Sequence, residues 1–262
     1  MKVLFIGDIV GKPGRNAIRA LLPGIVGRYG VDIVIANCEN AAAGFGVTRK
    51  IVDELYHSEI DILTSGNHIW DKKEINSFID DYETLLRPAN YPEGTVGKGS
   101  VVIKTRLRGI SLGVLNLEGR IFMRPLDCPF RVAEREIEKL KNKTDIIIVD
   151  MHAEATSEKE ALGWFLDGKV SAVLGTHTHV QTADERVLPG GTAYITDVGM
   201  TGPFDSVLGM RKEVSLERFL TLLPNRLGVA KGDIRIQGVL IDIDNNTGRA
   251  CSIERLSIDT KG

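Results

Sequence analysis

Five short apolar runs, each rich in Val and Ile, constrain the fold of this chain more than any other feature. In chain order they are "KVLFIGD", "DIVIANCEN", "DILTSGNH", "DIIIVDMH" and "SAVLGTHTH". Runs that are apolar on both faces, with segments of helical period between them, are typical of buried strands in an α/β sheet. We therefore expect an α/β fold in which helices connect these strands.

Helix signals lie in the segments between the runs. The apolar residues of "RNAIRALLPGIVGRYG" have helical spacing, and Pro23 within them predicts a kink or a restart. Thr48 is a candidate N-cap for "RKIVDELYHSE", and Asp71 is predicted to start a helix over "KKEINSFIDDY". Pro129 precedes a third helical segment, "FRVAEREIEKLKN".

Alternating apolar and polar segments dominate the later part of the chain. They include "GKGSVVIKT", "ISLGVLNL", "GGTAYITDV", "IQGVLIDID" and "CSIERLSI", with turn signals at Gly190-Gly191 and Asp244-Asn245-Asn246. A mixed sheet, or two packed sheets, fits this pattern better than one parallel sheet. Because no repeat or low-complexity linker divides the chain, we expect one domain over residues 1–262, with a small excursion at about 199–232.

Composition limits the classes of function. With 262 residues and a net charge of −2, the chain has no dense cluster of Lys and Arg, which argues against binding of long nucleic acid. Its three cysteines lie far apart and predict neither a disulfide framework nor a zinc-thiolate site. The N-terminal apolar run is too short for a signal peptide or a membrane span. We expect a cytoplasmic protein that binds a small molecule. The sequence neither predicts nor excludes a homo-oligomer.

Potential metal ligands follow every one of the five runs. These residues are Asp8, Glu39, Asn40, Asn67, His68, His152, His177 and His179. The carboxyl ends of strands form the ligand-binding crevice of α/β folds, so the fold would bring these distant residues together. In an extended chain, His177 and His179 would also point to the same side, because side chains alternate. Each residue alone has an ordinary structural explanation, but their coincidence predicts a metal site.

The chemistry of this set favours particular cations. Carboxylates, amide oxygens and imidazoles without a thiolate suit hard or borderline divalent metals such as Mn, Fe or Zn. The carboxylate of Glu39 has two oxygens and is the candidate to bridge two cations.

The order and spacing of four motifs resemble those of the calcineurin-like metallophosphoesterases over most of the chain. The motifs are "GD" at 7–8, "GNH" at 66–68, the lone His152 and "GTHTH" at 175–179. More narrowly, "FIGDIVGKPGR", "NCENAAAGFG", "SGNHIWDKKE" and "TDVGMTGP" resemble the bacterial YmdB-type branch, described as 2′,3′-cyclic-nucleotide phosphodiesterases. This resemblance implies a metallophosphoesterase sandwich, in which two packed mixed sheets are flanked by helices.

The resemblance also implies a role for each candidate residue. One metal ion would be bound by Asp8, Asn40 and His179, the other by Asn67, His152 and His177, with Glu39 between them. His68 would stand beside the substrate as general acid, and a hydroxide bridging the two cations would attack phosphorus. Iron or manganese is expected, with zinc or magnesium as alternatives. The larger superfamily has a histidine where this chain has Val10, and a bridging aspartate where this chain has Glu39-Asn40. Both departures from the superfamily pattern agree with the narrower branch.

Two other kinds of site do not fit the motifs. "GDIVGKPGRN" is not a P-loop, because its glycine spacing is one residue short and Pro13 replaces the required Ser or Thr. A metallo-β-lactamase-like site would need Asp-His where Val180-Gln181 follow His179. A metal-dependent nucleotide-binding regulatory protein and a phosphomonoesterase stay open beside the favoured function, hydrolysis of 2′,3′-cyclic nucleotides to 3′-nucleotides.

Other reactive or charged residues have simpler explanations. Cys38 is expected to be a small buried residue and His57 a solvated helix residue. Arg120, Arg124 and Arg131 are either a phosphate clamp or scattered surface residues.

Overall fold

The computed structural model describes residues 1–107 and 109–260. The strands of these residues are, in chain order, β1 (Lys2–Ile6), β2 (Asp8–Ile9), β3 (Ile33–Asn37), β4 (Ile62–Thr64), β5 (Ser100–Lys104), β6 (Ser111–Glu118), β7 (Ile147–His152), β8 (Ala172–Thr176), β9 (Arg186–Val187), β10 (Ala193–Ile195), β11 (Met200–Pro203), β12 (Ile234–Ile243) and β13 (Ala250–Asp259). The α-helices are α1 (Gly11–Tyr29), α2 (Arg49–His57), α3 (Pro129–Lys141), α4 (Thr156–Leu166) and α5 (Lys212–Thr221). The five predicted buried runs are confirmed as β1, β3, β4, β7 and β8.

Within the described residues the strands form two mixed sheets. The first has the order β2-β11-β12-β1-β3-β4, with β13 paired to β12. In this sheet β1, β3 and β4 are parallel, and β12 runs antiparallel to β1. The second has the order β5-β6-β7-β8-β10-β9, in which β6, β7, β8 and β10 are parallel. The expected α/β arrangement of two mixed sheets is confirmed.

The alternation of side chains along the central strands explains the layers. Val3 and Phe5 of β1 belong to one apolar cluster with Ile148 of β7, which lies between the two sheets. Leu4 and Ile6 belong to another cluster, which includes the buried faces of α1 and α2. The outer face of the second sheet packs in the same way against α3 and α4. Both faces of these strands are buried, which is why their sequences are continuously apolar, and each large side chain contributes about 1.5–3 kcal/mol.

The predicted starts of α2 and α3 are confirmed, whereas α4 was not predicted from the sequence. Thr48 accepts a hydrogen bond from the backbone N–H of Ile51 at 3.4 Å and so caps α2. Pro129 occupies the first turn of α3, where its missing N–H costs nothing. Helix α1 begins at Gly11 and continues through Pro23 without a restart. No helix of residues 1–107 and 109–260 is long and apolar enough to cross a membrane.

The helix predicted after Asp71 is wrong. Residues 69–81 form three short 3₁₀ helices, Ile69–Asp71, Lys73–Ser77 and Ile79–Asp81. Lys72 is extended, with φ −103° and ψ 106°, and separates the first two. The carboxylate of Asp71 lies 2.8 Å from Nδ1 of His68 and therefore does not cap a helix.

Candidate metal centre

The predicted ligands lie where the strands of both sheets end. Asp8 begins β2 directly after β1, Glu39 and Asn40 form a turn after β3, Asn67 and His68 follow β4, His152 is the last residue of β7, and His177 and His179 follow β8. The carboxyl ends of strands from two sheets thus meet at one edge of the sandwich.

Nε2 of His152 is the point on which three other ligand candidates converge. It lies 3.0 Å from Oδ1 of Asn67, 3.0 Å from Nδ1 of His177 and 3.2 Å from Oε1 of Glu39. Ligand atoms of Glu39, His152 and His177 all lie within 4.8 Å of one another. Four atoms that carry lone pairs and face one another at these distances can all be satisfied by one cation.

Two buried acceptors lie beside this group. Oδ1 of Asp8 and Oδ1 of Asn40 have no hydrogen-bond partner within the described residues, although such atoms are nearly always paired. Oδ2 of Asp8 accepts the backbone N–H of His177 at 3.1 Å, and Nδ2 of Asn40 donates to the carbonyl oxygen of Gly44 at 2.9 Å. The unpartnered atoms are therefore the ones left for a cation. A divalent metal fits this set of oxygens and imidazole nitrogens.

Each of the three imidazoles is held by a residue that is not itself a candidate metal ligand. In each ring, one nitrogen lies close to a hydrogen-bond acceptor. Nδ1 of His152 lies 2.8 Å from Oγ1 of Thr176, and Nε2 of His177 lies 3.0 Å from Oε2 of Glu154. Nδ1 of His179 lies 3.1 Å from the carbonyl oxygen of Leu208. The hydroxyl of Thr176 donates in turn to Asp150 at 2.8 Å, so it accepts from His152. These acceptors assign a proton to the nitrogen that faces them and leave the other nitrogen free to bind a metal, as is usual at metal sites.

Charge and burial act on the same groups. Burial alone would lower the pKa of His152, but the carboxylates of Glu39 and Asp8 outweigh it and raise this pKa to about 9. Burial would raise the pKa of Glu39, but His152 lowers it to about 2. Burial and the neighbouring His152 lower the pKa of His177 to about 3. A protonated His152 therefore stabilises the negative charge of Glu39 when no cation is bound.

The loop that carries His177 and His179 is not extended, contrary to the alternation argument. Strand β8 ends at Thr176, and His177 and His179 have positive φ angles of 101° and 62°. Both histidines nevertheless line the same pocket. The loop is held by Asp197, whose Oδ2 accepts the backbone N–H and the hydroxyl of Thr178 at 3.0 and 2.7 Å.

His68 faces the pocket without touching the other candidate ligands through its ring. Its backbone N–H donates to Oε2 of Glu39 at 3.0 Å, and its Nδ1 lies 2.8 Å from Oδ2 of Asp71. The ring of Phe45 meets the imidazole edge to face, with centroids 4.9 Å apart. Asp71 and Phe45 thus fix the ring plane and leave Nε2 as the nitrogen available to a ligand.

The sequence missed the residues that hold the ligands in place. Asp150 is separated from His152 by one residue of β7, so strand alternation could have revealed it. Asp71, Glu154 and Asp197 reach their histidine-bearing segments through loop geometry that no sequence pattern indicates.

The residues set aside from the sequence also have defined positions. Cys38 is buried, and burial together with Glu39 raises the pKa of its thiol. His57 is exposed in the last turn of α2. The pocket is not lined by any of the predicted arginines (Arg120, Arg124 and Arg131) but by Arg218, and it encloses about 620 Å³.

Comparison with known proteins agrees with the geometry. A Bacillus subtilis (strain 168) relative named 2′,3′-cyclic-nucleotide 2′-phosphodiesterase is 54% identical over 259 residues, covering 99% of this chain and 97% of the relative. The crystal structure of a hypothetical protein from Thermus thermophilus has a TM-score of 0.92 at 46% identity, covering 99% of both chains. That of a novel phosphatase from Mycoplasma pneumoniae has a TM-score of 0.92 at 37% identity, covering 99% of this chain and 93% of the other. A family model described as YmdB-like protein matches residues 4–256. The chain belongs to the YmdB-like family.

Proposed function

We propose that the chain is a metal-dependent phosphodiesterase that hydrolyses 2′,3′-cyclic nucleotides to 3′-nucleotides. The observation that carries the proposal is the arrangement of His152, His177 and His179, each with one nitrogen facing a hydrogen-bond acceptor and the other left free to bind a metal. The name of the Bacillus subtilis relative supports the substrate class.

Two cations are assigned to the site. Asp8, Asn40 and His179 would hold the first, Asn67, His152 and His177 would hold the second, and the carboxylate of Glu39 would serve both. The unpartnered oxygens of Asp8 and Asn40 support the first group, and the contacts of His152 support the second. Because the donors are only oxygen and nitrogen, iron or manganese is the proposed metal.

Bound divalent cations would polarise the phosphoryl oxygens and lower the pKa of water, which makes a nucleophile available near neutral pH. The chain itself supplies the proton for the leaving group. Nε2 of His68 protonates the departing 2′ oxygen, while Asp71 accepts from Nδ1 and offsets the charge of the doubly protonated ring. Phe45 keeps this ring against the pocket wall.

The remaining pocket lining fits a nucleoside. Phe45, Leu208 and Phe219 offer apolar surface for a base, and Arg218 offers a positive charge for phosphate. Pockets of about 300–1,000 Å³ bind ligands of this size, and this one encloses about 620 Å³.

A substrate panel tests the proposal. Protein stripped with a chelator and reloaded with Mn²⁺ or Fe²⁺ would be given 2′,3′-cyclic AMP, 3′,5′-cyclic AMP and 3′-AMP, with products separated by chromatography. We expect 3′-AMP from the first substrate and little turnover of the other two. Binding of 2′,3′-cyclic AMP without conversion would favour a nucleotide-binding regulatory protein, and release of phosphate from 3′-AMP would favour a phosphomonoesterase.

A further inference from the structure

A second and larger chamber adjoins the metal pocket. It encloses about 1080 Å³, against about 620 Å³ for the metal pocket. Phe45, Arg218 and Leu227 line both, so the two spaces share a wall. The chamber therefore lies directly beside the metal pocket, and it has room for at least one further nucleotide.

Most of the described residues that line the chamber are apolar or uncharged, and the charged ones among them are all basic. The basic residues are Lys12, Lys72, Arg218, Arg226 and Lys231. None of the five forms a salt bridge within the described part of the chain. Unpaired cations around a concave surface concentrate positive potential there. The sequence does not reveal this patch, because Lys12 and Lys72 lie far along the chain from Arg218, Arg226 and Lys231.

Two further features of the lining narrow the ligand class. Asn225 is part of the chamber wall, and its Nδ2 is a buried donor without a hydrogen-bond partner among the described residues. Phe45 stands at the junction with the metal pocket, where a base can stack on its ring. A positively charged cavity with an aromatic platform is the combination that binds single-stranded nucleic acid.

We propose that the chamber binds the internucleotide phosphates of a short RNA whose 3′ end, a 2′,3′-cyclic phosphate, occupies the metal pocket. The inference rests on the proposed function and extends its substrate from mononucleotides to oligonucleotides. The oxygen of water attacks phosphorus, and the bond between phosphorus and the 2′ oxygen breaks. The 2′ oxygen takes up a proton, and the phosphate stays on the 3′ oxygen. The Lys12 segment, excluded as a P-loop, thus acquires a phosphate-binding role of a different kind.

Steady-state kinetics on two substrates tests the proposal. We would compare kcat/KM for 2′,3′-cyclic AMP with that for a tri-adenylate ending in the same cyclic phosphate. The trinucleotide should be favoured by at least about tenfold at low salt, and its advantage should fall with salt at a log–log slope of about −0.7 for each phosphate bound. A trinucleotide with uncharged methylphosphonate linkages should lose most of the advantage.

A variant that removes two positive charges from the chamber tests whether the chamber itself binds the phosphates. Lys12→Gln/Lys231→Gln changes two chamber residues that do not line the metal pocket. It should reduce the trinucleotide advantage to about threefold or less while turnover of 2′,3′-cyclic AMP stays within about twofold. The matched control is Lys104→Gln/Lys143→Gln, in a groove beside β5 that shares no lining residue with either space, and it should keep the full advantage.

The possible outcomes separate this inference from the proposed function. Equal kcat/KM for the trinucleotide and the mononucleotide would overturn the chamber inference and leave the phosphodiesterase intact. An advantage that survives Lys12→Gln/Lys231→Gln or the methylphosphonate linkages would also overturn it. Failure to open either cyclic phosphate would overturn the proposed function itself.

Discussion

The carboxylate of Asp197 holds Thr178, the residue between His177 and His179, through both the backbone N–H at 3.0 Å and the hydroxyl at 2.7 Å. The same Oδ2 accepts from Nζ of the buried Lys159 at 2.8 Å. This buried pair therefore sets the path of the loop that presents both histidines, neither of which has an extended backbone.

Asp197→Asn should lower metal affinity by about 10–100-fold, the usual cost of removing a group that orients a ligand. The change keeps the side-chain shape but replaces an acceptor oxygen with a donor facing Lys159 and Thr178. Competition with a fluorescent chelator would measure the affinity, and urea unfolding would show that the variant is folded. Thr178→Val removes one of the two bonds and should have a smaller effect. Affinity within about twofold of the parent in folded Asp197→Asn would contradict this role.

His68→Ala should leave metal content nearly unchanged but lower kcat by about 10²–10⁴-fold on 2′,3′-cyclic AMP, because the 2′ oxygen leaves as a strongly basic alkoxide. The loss should be smaller on bis-p-nitrophenyl phosphate, whose leaving group is stable without a proton. Asp71→Asn should have the same substrate dependence with a smaller loss, and the exposed Asp80→Asn is its matched control. If the chemical step is rate-limiting and kcat falls equally on both substrates, His68 binds the substrate and is not the general acid.

Gly66→Ala should displace the ring of His152, because a Cβ at position 66 would lie 2.1 Å from Cδ2 of that ring. We expect a loss of stability of about 1–3 kcal/mol and a loss of metal binding. Gly24→Ala in α1 is the control, since nothing lies within 4 Å of its added Cβ, and it should be neutral or stabilising by up to about 1 kcal/mol. Normal metal binding by Gly66→Ala would show that His152 is not confined as described.

Metal binding should release protons near neutral pH. The pKa of His152 is raised to about 9, so below that pH a cation must displace a proton from its ring. Affinity should therefore rise with pH, by about tenfold per unit between about pH 7 and 8.5, and level off above about pH 9. Calorimetric titration with Mn²⁺ in two buffers of different ionisation enthalpy would count the protons. Binding without proton release near neutral pH would contradict the assignment of His152.

The central strands and the position of the eight candidate residues at their ends could be predicted because both depend on local patterns. Continuous apolar runs indicate strands buried on both faces, and the polar residues after them must lie at the strand ends, as Asp8 and His152 do. Residues 69–81 could not be predicted in the same way. Ile75 and Ile79 have helical spacing and are buried, but the extended Lys72 and the contact of Asp71 with His68 prevent a continuous helix.

The groups that hold the ligands depend on tertiary contacts between distant segments. Glu154 lies on the loop after β7 but contacts His177 after β8, and Asp197 contacts Thr178 across 19 residues. The positive φ of His177 and His179 is unusual for residues other than glycine and follows from these contacts rather than from local preference. The cationic chamber likewise exists only after folding has brought Lys12 and Lys231 together.

The proposed function depends on two cations that Glu39 would hold together. Its most direct test is to titrate Mn²⁺ or Fe²⁺ into chelator-stripped protein while formation of 3′-AMP from 2′,3′-cyclic AMP is followed and bound metal is measured by elemental analysis. We expect activity to be absent at the start and to saturate at two equivalents of bound metal, and Glu39→Gln to lower occupancy and turnover together. Activity that saturates at one bound equivalent, or that persists with Glu39→Gln at full occupancy, would contradict it.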